Sequence, residues 1–112
     1  MQIKIINLED GMPLVYEAME RLECSLQVMR AKKIKHALII HGYGKRTHGG
    51  GKIKEATRTA LKQKLSSGEI RKVVFGENLS IFDSFGGMLS VTYDNVREYL
   101  TGRNIGITVI EL

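Results

Sequence analysis

Residues 37–54 read Ala-Leu-Ile-Ile-His-Gly-Tyr-Gly-Lys-Arg-Thr-His-Gly-Gly-Gly-Lys-Ile-Lys, and this stretch decides the fold. Residues 37–40 are aliphatic and continuous, which is typical of a strand buried on both faces of a sheet. Five glycines then fall between Gly42 and Gly51. A helix does not tolerate that density, because each glycine costs about 1 kcal/mol of helix propensity relative to alanine. The stretch therefore predicts a buried strand, a long loop and a helix that begins at Lys52.

Hydrophobic periodicity predicts the remaining elements on either side of this stretch. We expect strands over residues 2–6, 70–75 and 105–112, helices over 13–31 and 52–65, and a short helix over 94–100 with Asp94 as its N-cap. Strands joined by helices favour right-handed crossovers and a largely parallel sheet, in which an antiparallel last strand would lie at one edge. Ligands of such sheets bind beyond the carboxyl ends of the strands, which is where the loop after His41 begins.

Composition and length are those of one soluble domain that spans residues 1–112. No apolar run is long enough for a membrane span, and the N-terminus has no signal-peptide pattern, so we expect a cytoplasmic protein. The single cysteine, Cys24, excludes an internal disulfide and has no catalytic signature around it. His36 and His48 lack the accompanying Cys or carboxylate cluster of a zinc site, so we predict no structural metal.

Charge is distributed very unevenly along the chain. The overall net charge is +5, but residues 30–72 contain 13 Lys or Arg against only Glu55 and Glu69. Because this basic region overlaps the glycine-rich loop, an anionic partner is favoured.

The loop and the helix start after it have the chemistry of a phosphate site. A glycine turn into a helix N-terminus lets backbone amides approach an anion, and the helix dipole adds positive character. The predicted binding residues of this segment are Gly42, Tyr43, Gly44, Lys45, Arg46, Gly51, Lys52 and Lys54. A mononucleotide loop is not matched, since Gly50 stands where its lysine belongs, and the dinucleotide pattern fails at Thr47.

An extended nucleic-acid backbone fits this segment better than a nucleotide does. Lys54, Arg58 and Lys62 recur every four residues and would continue the positive track along the helix, each neutralising one phosphate. The alternative for this stripe is an ordinary solvated helix face. Tyr43 would stack on a base or, alternatively, pack on its own helix.

Three segments together resemble the small MutS-related (Smr) domain: His41-Gly42-Tyr43-Gly44, Gly51-Lys52-Ile53-Lys54-Glu55-Ala56 and Gly106-Ile107-Thr108-Val109-Ile110-Glu111-Leu112. The family carries a strand ending in His-Gly-x-Gly, a Gly-x-Leu-Arg-like helix start and a closing strand of Gly-Val-Thr-Val type. Residues 12–18 are similar to the start of the family's first helix, so the resemblance covers most of the chain. Relative to the compact family pattern, residues 45–50 lengthen the loop and residues 76–104 form an insertion between the third and fourth strands.

The resemblance implies a two-layer α/β sandwich with a mixed four-stranded sheet and two main helices, ordered βαβαβ with an insert helix and a final strand. It implies DNA or RNA as the partner and, in several members, endonuclease activity. His41, Gly42, Gly44 and Gly51 would belong to the signature loop, and Lys54 would take its basic position.

Catalysis is the open alternative, because active members carry an Asp-x-His element after the first strand where this chain reads Asn7-Leu8-Glu9-Asp10. Aligned on Asn7 and Glu9, or on Leu8 and Asp10, the chain supplies no histidine in this element. His41 with Glu9 or Asp10 would be the remaining acid/base pair for phosphodiester cleavage. No cofactor is indicated, although Mg²⁺ could enter with phosphate at these carboxylates. A third hypothesis is a protein-interaction domain that uses the apolar residues of the insertion.

Overall fold

The computed structural model of this chain describes residues 1–42, 51–100, 102 and 104–112. Its strands are β1 (Lys4–Asn7), β2 (His36–Ile40), β3 (Lys72–Phe75) and β4 (Ile107–Glu111). Its α-helices are α1 (Val15–Lys32), α2 (Lys52–Ser66) and α3 (Ser84–Thr92), and single 3₁₀ turns occupy Gly76–Asn78 and Arg97–Tyr99. The aliphatic run at residues 37–40 forms most of β2, and α2 begins at Lys52 as predicted.

The four strands form one mixed sheet in the order β1-β2-β4-β3. The first three strands run in the same direction, and β4 pairs antiparallel with both β2 and β3. The mixed four-stranded sheet is therefore confirmed, but the expectation that the last strand would lie at an edge is wrong. Four consecutive residues of β4 are buried, and a strand covered on both faces is stabilised by a neighbour on each side, which only an interior position provides.

The two long helices cover one face of the sheet. α1 buries Ala18, Leu22, Leu26 and Met29, four of the five positions that its periodicity predicts. The fifth, Leu14, precedes the first turn and is 48% exposed. Together with Ile53 and Leu61 of α2 they pack on Ile6, Ile39 and Ile110 of the strands. This layer supplies the larger of the two apolar cores.

Both ends of α1 are fixed by identifiable hydrogen bonds. The helix begins at Val15, not at Pro13, because the backbone N–H of Leu14 donates to the Glu17 carboxylate over 2.8 Å. It ends in a Schellman motif, in which the amides of Lys33 and Ile34 donate to the carbonyls of Arg30 and Met29. Lys33 consequently adopts the left-handed conformation at φ 57°.

The connection between β3 and β4 covers the opposite face of the sheet. Leu79, Leu89, Tyr93, Val96 and Leu100 of this connection pack on Leu38, Ile107 and Val109 of the strands, forming a second core. Its helix is α3 at Ser84–Thr92, so the predicted helix over 94–100 is wrong. Asp94 does not cap a helix, because its carboxylate binds the N-terminal ammonium and its N–H donates to the carbonyl of Met1.

The glycines of α3 explain why its position was missed. Gly86 lies so close to the backbone carbonyl of Ser80 that a Cβ would overlap it. Glycine therefore serves close packing here, although its low propensity argues against a helix. None of the helices in the described part of the chain is long and apolar enough to cross a membrane.

Candidate functional site at the carboxyl ends of β2 and β3

His41 follows the last residue of β2 and is only 1% exposed. Its Nδ1 donates to the carbonyl of Gly42 (3.2 Å), and its Nε2 accepts from the Thr108 hydroxyl of β4 (2.9 Å). Burial lowers the pKa of His41 to about 4, and the positive charges of Arg58 and Lys54 act in the same direction. At neutral pH His41 is thus an uncharged imidazole with both nitrogens engaged.

Gly42 forms the turn that leaves the sheet. Its φ is +80°, and a Cβ at this position would overlap the carboxyl group of Glu9. The N–H groups of His41 and Gly42 both donate to the carbonyl of Gly106, at 3.0 Å each. The Gly42 amide is therefore hydrogen-bonded inside the fold. It is not free to bind an anion, as the sequence analysis expects of the amides in this loop.

The loop after β1 places Glu9 at this turn. Asn7 accepts the backbone N–H of Glu9 on its side-chain oxygen (3.0 Å), and the Arg21 guanidinium donates to the carbonyls of Asn7 (3.1 Å) and Asp10 (2.9 Å). Leu8 is fully buried, whereas Asp10 is exposed. Of the two carboxylates considered from the sequence, it is Glu9 that lies against the His41–Gly42 turn.

Helix α2 brings three of the predicted basic residues to the same end of the sheet. Gly51 is its N-cap at φ 88°, a left-handed conformation that glycine adopts without strain. Lys52 is exposed and Lys54 is half-buried. Tyr43, Gly44, Lys45 and Arg46, which complete the predicted loop, lie outside the described residues.

Arg58 is held inside the site by two contacts. Its Nη2 donates to the Glu77 carboxylate over 2.5 Å, and its guanidinium carbon lies 4.1 Å from the centre of the Phe75 ring. Its Nε is buried and finds no partner among the residues that the structure describes. Lys62, one turn later, is exposed with its Nζ 5.5 Å from the same ring.

Glu77 is the site residue that the sequence analysis missed. The hydrogen bond from Arg58 is the main reason why the pKa of Glu77 is lowered, and the charges of Arg58 and Lys54 add to the effect. The missed signal is positional, since Glu77 follows the carboxyl end of β3 as His41 follows that of β2. Glu77 thus offsets the charges of Arg58 and Lys54.

No group of three or more His, Cys, Asp or Glu side chains within the described ranges is arranged to hold a metal ion. Cys24, the single thiol, is exposed on α1.

Comparison with known proteins identifies the family. The sequence model of the Smr domain matches residues 11–77, which is more than half of the chain. The chain belongs to the Smr domain family. The matched part of this Smr domain runs from the turn before α1 to Glu77, and it includes His41, Gly42 and the start of α2.

The similarity in fold extends beyond the residues that the sequence model matches. The crystal structure of the Smr domain of Thermus thermophilus MutS2 is similar to it with a TM-score of 0.59 and 18% sequence identity, covering 98% of each chain. At so low a sequence identity, this similarity shows only that the two chains share a fold. Comparison with curated protein sequences gives no match.

Proposed function

We propose that this Smr domain binds the phosphate backbone of DNA or RNA at the carboxyl ends of β2 and β3. The observation that carries the proposal is the placement of Lys52, Lys54 and Arg58 on the first turns of α2, beside the His41–Gly42 turn. Smr domains generally bind or nick nucleic acids, which supports the same partner. Tyr43, Lys45 and Arg46 of the adjoining loop remain part of the proposed surface.

The residues of this surface have different roles. Lys52 and Lys54 form no ion pair within the described part of the chain, and they supply charge to phosphates directly. Arg58 binds phosphate only in competition with Glu77, because its guanidinium is already occupied. Buried His41 fixes the turn between β2 and the loop through Thr108 and Gly42, which makes it a positioning residue.

Cleavage is the second candidate function, and the carboxylate of Glu9 is the observation that favours it. This group is half-buried against Gly42 at the binding end of the sheet, where it would reach a phosphodiester or a Mg²⁺ ion carried by one. His41 is poorly placed to be its acid/base partner, because a general base must reach the proton that it removes. Both of its nitrogens are instead hydrogen-bonded inside the fold.

Binding is tested by the affinity for labelled single- and double-stranded DNA and RNA across a salt series. We expect affinity to fall steeply with salt, since each neutralised phosphate releases counterions. Lys52→Gln/Lys54→Gln should weaken binding and flatten the salt dependence. The matched control is Gln27→Glu/Gln63→Glu, which changes the net charge equally at two exposed helix positions. Affinity that does not respond to salt, or equal weakening by both pairs, would refute the proposal.

Cleavage is tested by incubating the same substrates with the wild-type protein, with and without Mg²⁺. The Glu9→Gln variant should then lose product formation while it retains binding, because the amide keeps the shape of the carboxylate and removes its charge. Cleavage that survives this substitution, or no cleavage by the wild type, would eliminate the second candidate. A role in protein interaction, through the connection between β3 and β4, stays a prediction.

A further inference from the structure

The basic region that is continuous in sequence is divided between two ends of the molecule. Six of the 13 basic residues in the range 30–72 lie at the end of α1 and at the starts of β2 and β3: Arg30, Lys32, Lys33, Lys35, Arg71 and Lys72. The five-residue strand β2 separates this end from His41 by about 16 Å. These residues therefore do not belong to the site described above.

Basic residues outnumber the carboxylates that contact them at this second end. Lys33, Lys35 and Arg71 are exposed and form no ion pair with any described residue. Glu111 lies near two of them: the His36 hydrogen bond (3.0 Å, Nε2 to Oε1) is the main cause of its lowered pKa, and the charges of Lys35 and Arg71 add to the effect. Arg30 is paired with Glu69 (3.5 Å). At the His41 end, Glu77 is paired with Arg58 and lies near Lys54.

A groove of about 740 Å³ opens between these lysines. Lys4, Lys33 and Lys35 stand around it, and Ile34, Met88 and Tyr93 supply apolar lining. His36 lies at its base, where the Tyr93 hydroxyl is 2.7 Å from Nδ1. The volume lies within the range of about 300–1,000 Å³ that small-molecule and cofactor sites occupy.

Lys33 stands at a position where the backbone favours glycine. It is the left-handed residue after α1, and this position of a Schellman motif is most often glycine because a side chain is strained there. From this position Lys33 lines the groove.

We propose that this groove and its lysines, the distal basic surface, are a second contact for single-stranded nucleic acid. Phosphates bind to Lys33, Lys35 and Lys4, and an unpaired base enters the apolar groove between them. A single strand is favoured over a duplex because its bases are free to leave the stack, and apolar and aromatic side chains are the usual platform for them. This inference rests on the proposed function for its class of ligand, nucleic acid. The residues that it assigns to binding are different ones.

The experiment measures the binding of a labelled single-stranded oligonucleotide, long enough to pass both ends of the sheet, to the whole chain across a salt series. The distal variant is Lys33→Gly/Lys35→Gln, and the proximal variant is Lys52→Gln/Lys54→Gln. The control is again Gln27→Glu/Gln63→Glu, which shifts the net charge by the same two units. The thermal unfolding of each protein is measured first. We expect the melting temperature of the Lys33→Gly protein to be no lower than that of the wild type, because glycine fits the left-handed conformation.

We expect the distal variant to lose roughly tenfold or more in affinity at 0.1 M salt, and the slope of log K against log salt to flatten by about 1.4, since each single-strand phosphate contact contributes about 0.7. The control should lose much less. For a duplex of the same sequence the distal variant should differ less from wild type, because paired bases cannot fill the groove.

Several outcomes would overturn the inference, and they differ from those that overturn the proposed function. If the proximal variant weakens binding while the distal variant matches the control, the distal surface is only solvated charge and the proposed function stands. If only the distal variant weakens binding, the distal surface stands and the proposed function is wrong. If the wild type binds no oligonucleotide, both are wrong. Binding to vesicles of anionic phospholipid that depends on Lys33 and Lys35, without oligonucleotide binding, would assign the surface to a membrane instead.

Discussion

Gly42 and Glu9 fit together at the turn after β2 because glycine has no Cβ. Gly42→Ala is therefore penalised twice, once by the overlap with the Glu9 carboxyl and once by φ +80°, where an L-residue costs about 1–2 kcal/mol. We expect the loss in unfolding free energy, measured by urea denaturation, to be larger in the wild type than in a Glu9→Ala background. Only the conformational part should remain in that background.

Gly68→Ala is the matched control for this substitution. Gly68 has a similar φ of +83° with nothing within 4 Å of an added Cβ. It should show the conformational cost alone. Equal losses for Gly42→Ala in both backgrounds would mean that Glu9 does not occupy the space beside Gly42.

Glu77 limits how strongly Arg58 attracts a phosphate. Glu77→Gln keeps the size of the side chain and removes its charge, so Arg58 gains the equivalent of one phosphate contact. We expect affinity for an oligonucleotide to rise about fivefold at 0.1 M salt, with a steeper salt dependence. The control is Glu20→Gln, which makes the same charge change at an exposed position of α1. An equal gain in both variants would show that only net charge matters.

At the scale of elements, α3 decides whether the connection between β3 and β4 is an appendage or part of the fold. Leu89 is fully buried in the second core, and Val91, two residues later on the opposite side of the helix, is 88% exposed. Leu89→Ala should lower the unfolding free energy by about 2–5 kcal/mol, the usual cost of emptying a buried leucine site. Val91→Ala should change it by less than about 0.5 kcal/mol.

The two leucine and valine variants are compared by denaturant unfolding followed with a global probe. A single transition shifted by Leu89→Ala would mean that both faces of the sheet unfold together. If Leu89→Ala leaves the main transition in place, the connection unfolds as a separate unit.

At the scale of the whole molecule, His41 makes stability depend on pH. Burial lowers its pKa from 6.5 to about 4. Between these two pH values His41 is therefore protonated in the unfolded chain but not in the folded chain. Stability is present above pH 6.5 and is lost as the pH falls toward 4, by up to about 3 kcal/mol from this one group. His41→Gln should therefore show a smaller loss of unfolding free energy between pH 7 and pH 4.5 than the wild type.

The comparison isolates His41 because other acid titrations are common to both proteins. Glu77 and Glu111, whose pKa values are lowered by Arg58 and His36, lose their stabilisation on acidification in the variant as in the wild type. Parallel pH profiles of the two proteins would mean that His41 is not buried as an uncharged group.

Local patterns carried much of the fold. The aliphatic run at residues 37–40, the periodicity of α1 and the start of α2 at Lys52 were all readable, because each depends on neighbours within a few residues of the chain. The family resemblance in the three quoted segments was also sufficient for the mixed sheet. The sequence by itself therefore determined the family and the elements of the helical layer.

Only the tertiary structure decided how distant residues meet. The antiparallel insertion of β4 between β2 and β3 depends on pairings between residues 33 to 75 positions apart, for which no local pattern exists. The same pairings bring Gly106 and Thr108 to His41 and leave Glu77 beside Arg58. The fold also divides the basic stretch of residues 30–72 between two surfaces. The residues before and after β2 lie at opposite ends of the sheet, because the strand runs from one end to the other. The net charge of a stretch of sequence therefore does not describe a binding surface. A ligand interacts only with the charges that the fold places close to it.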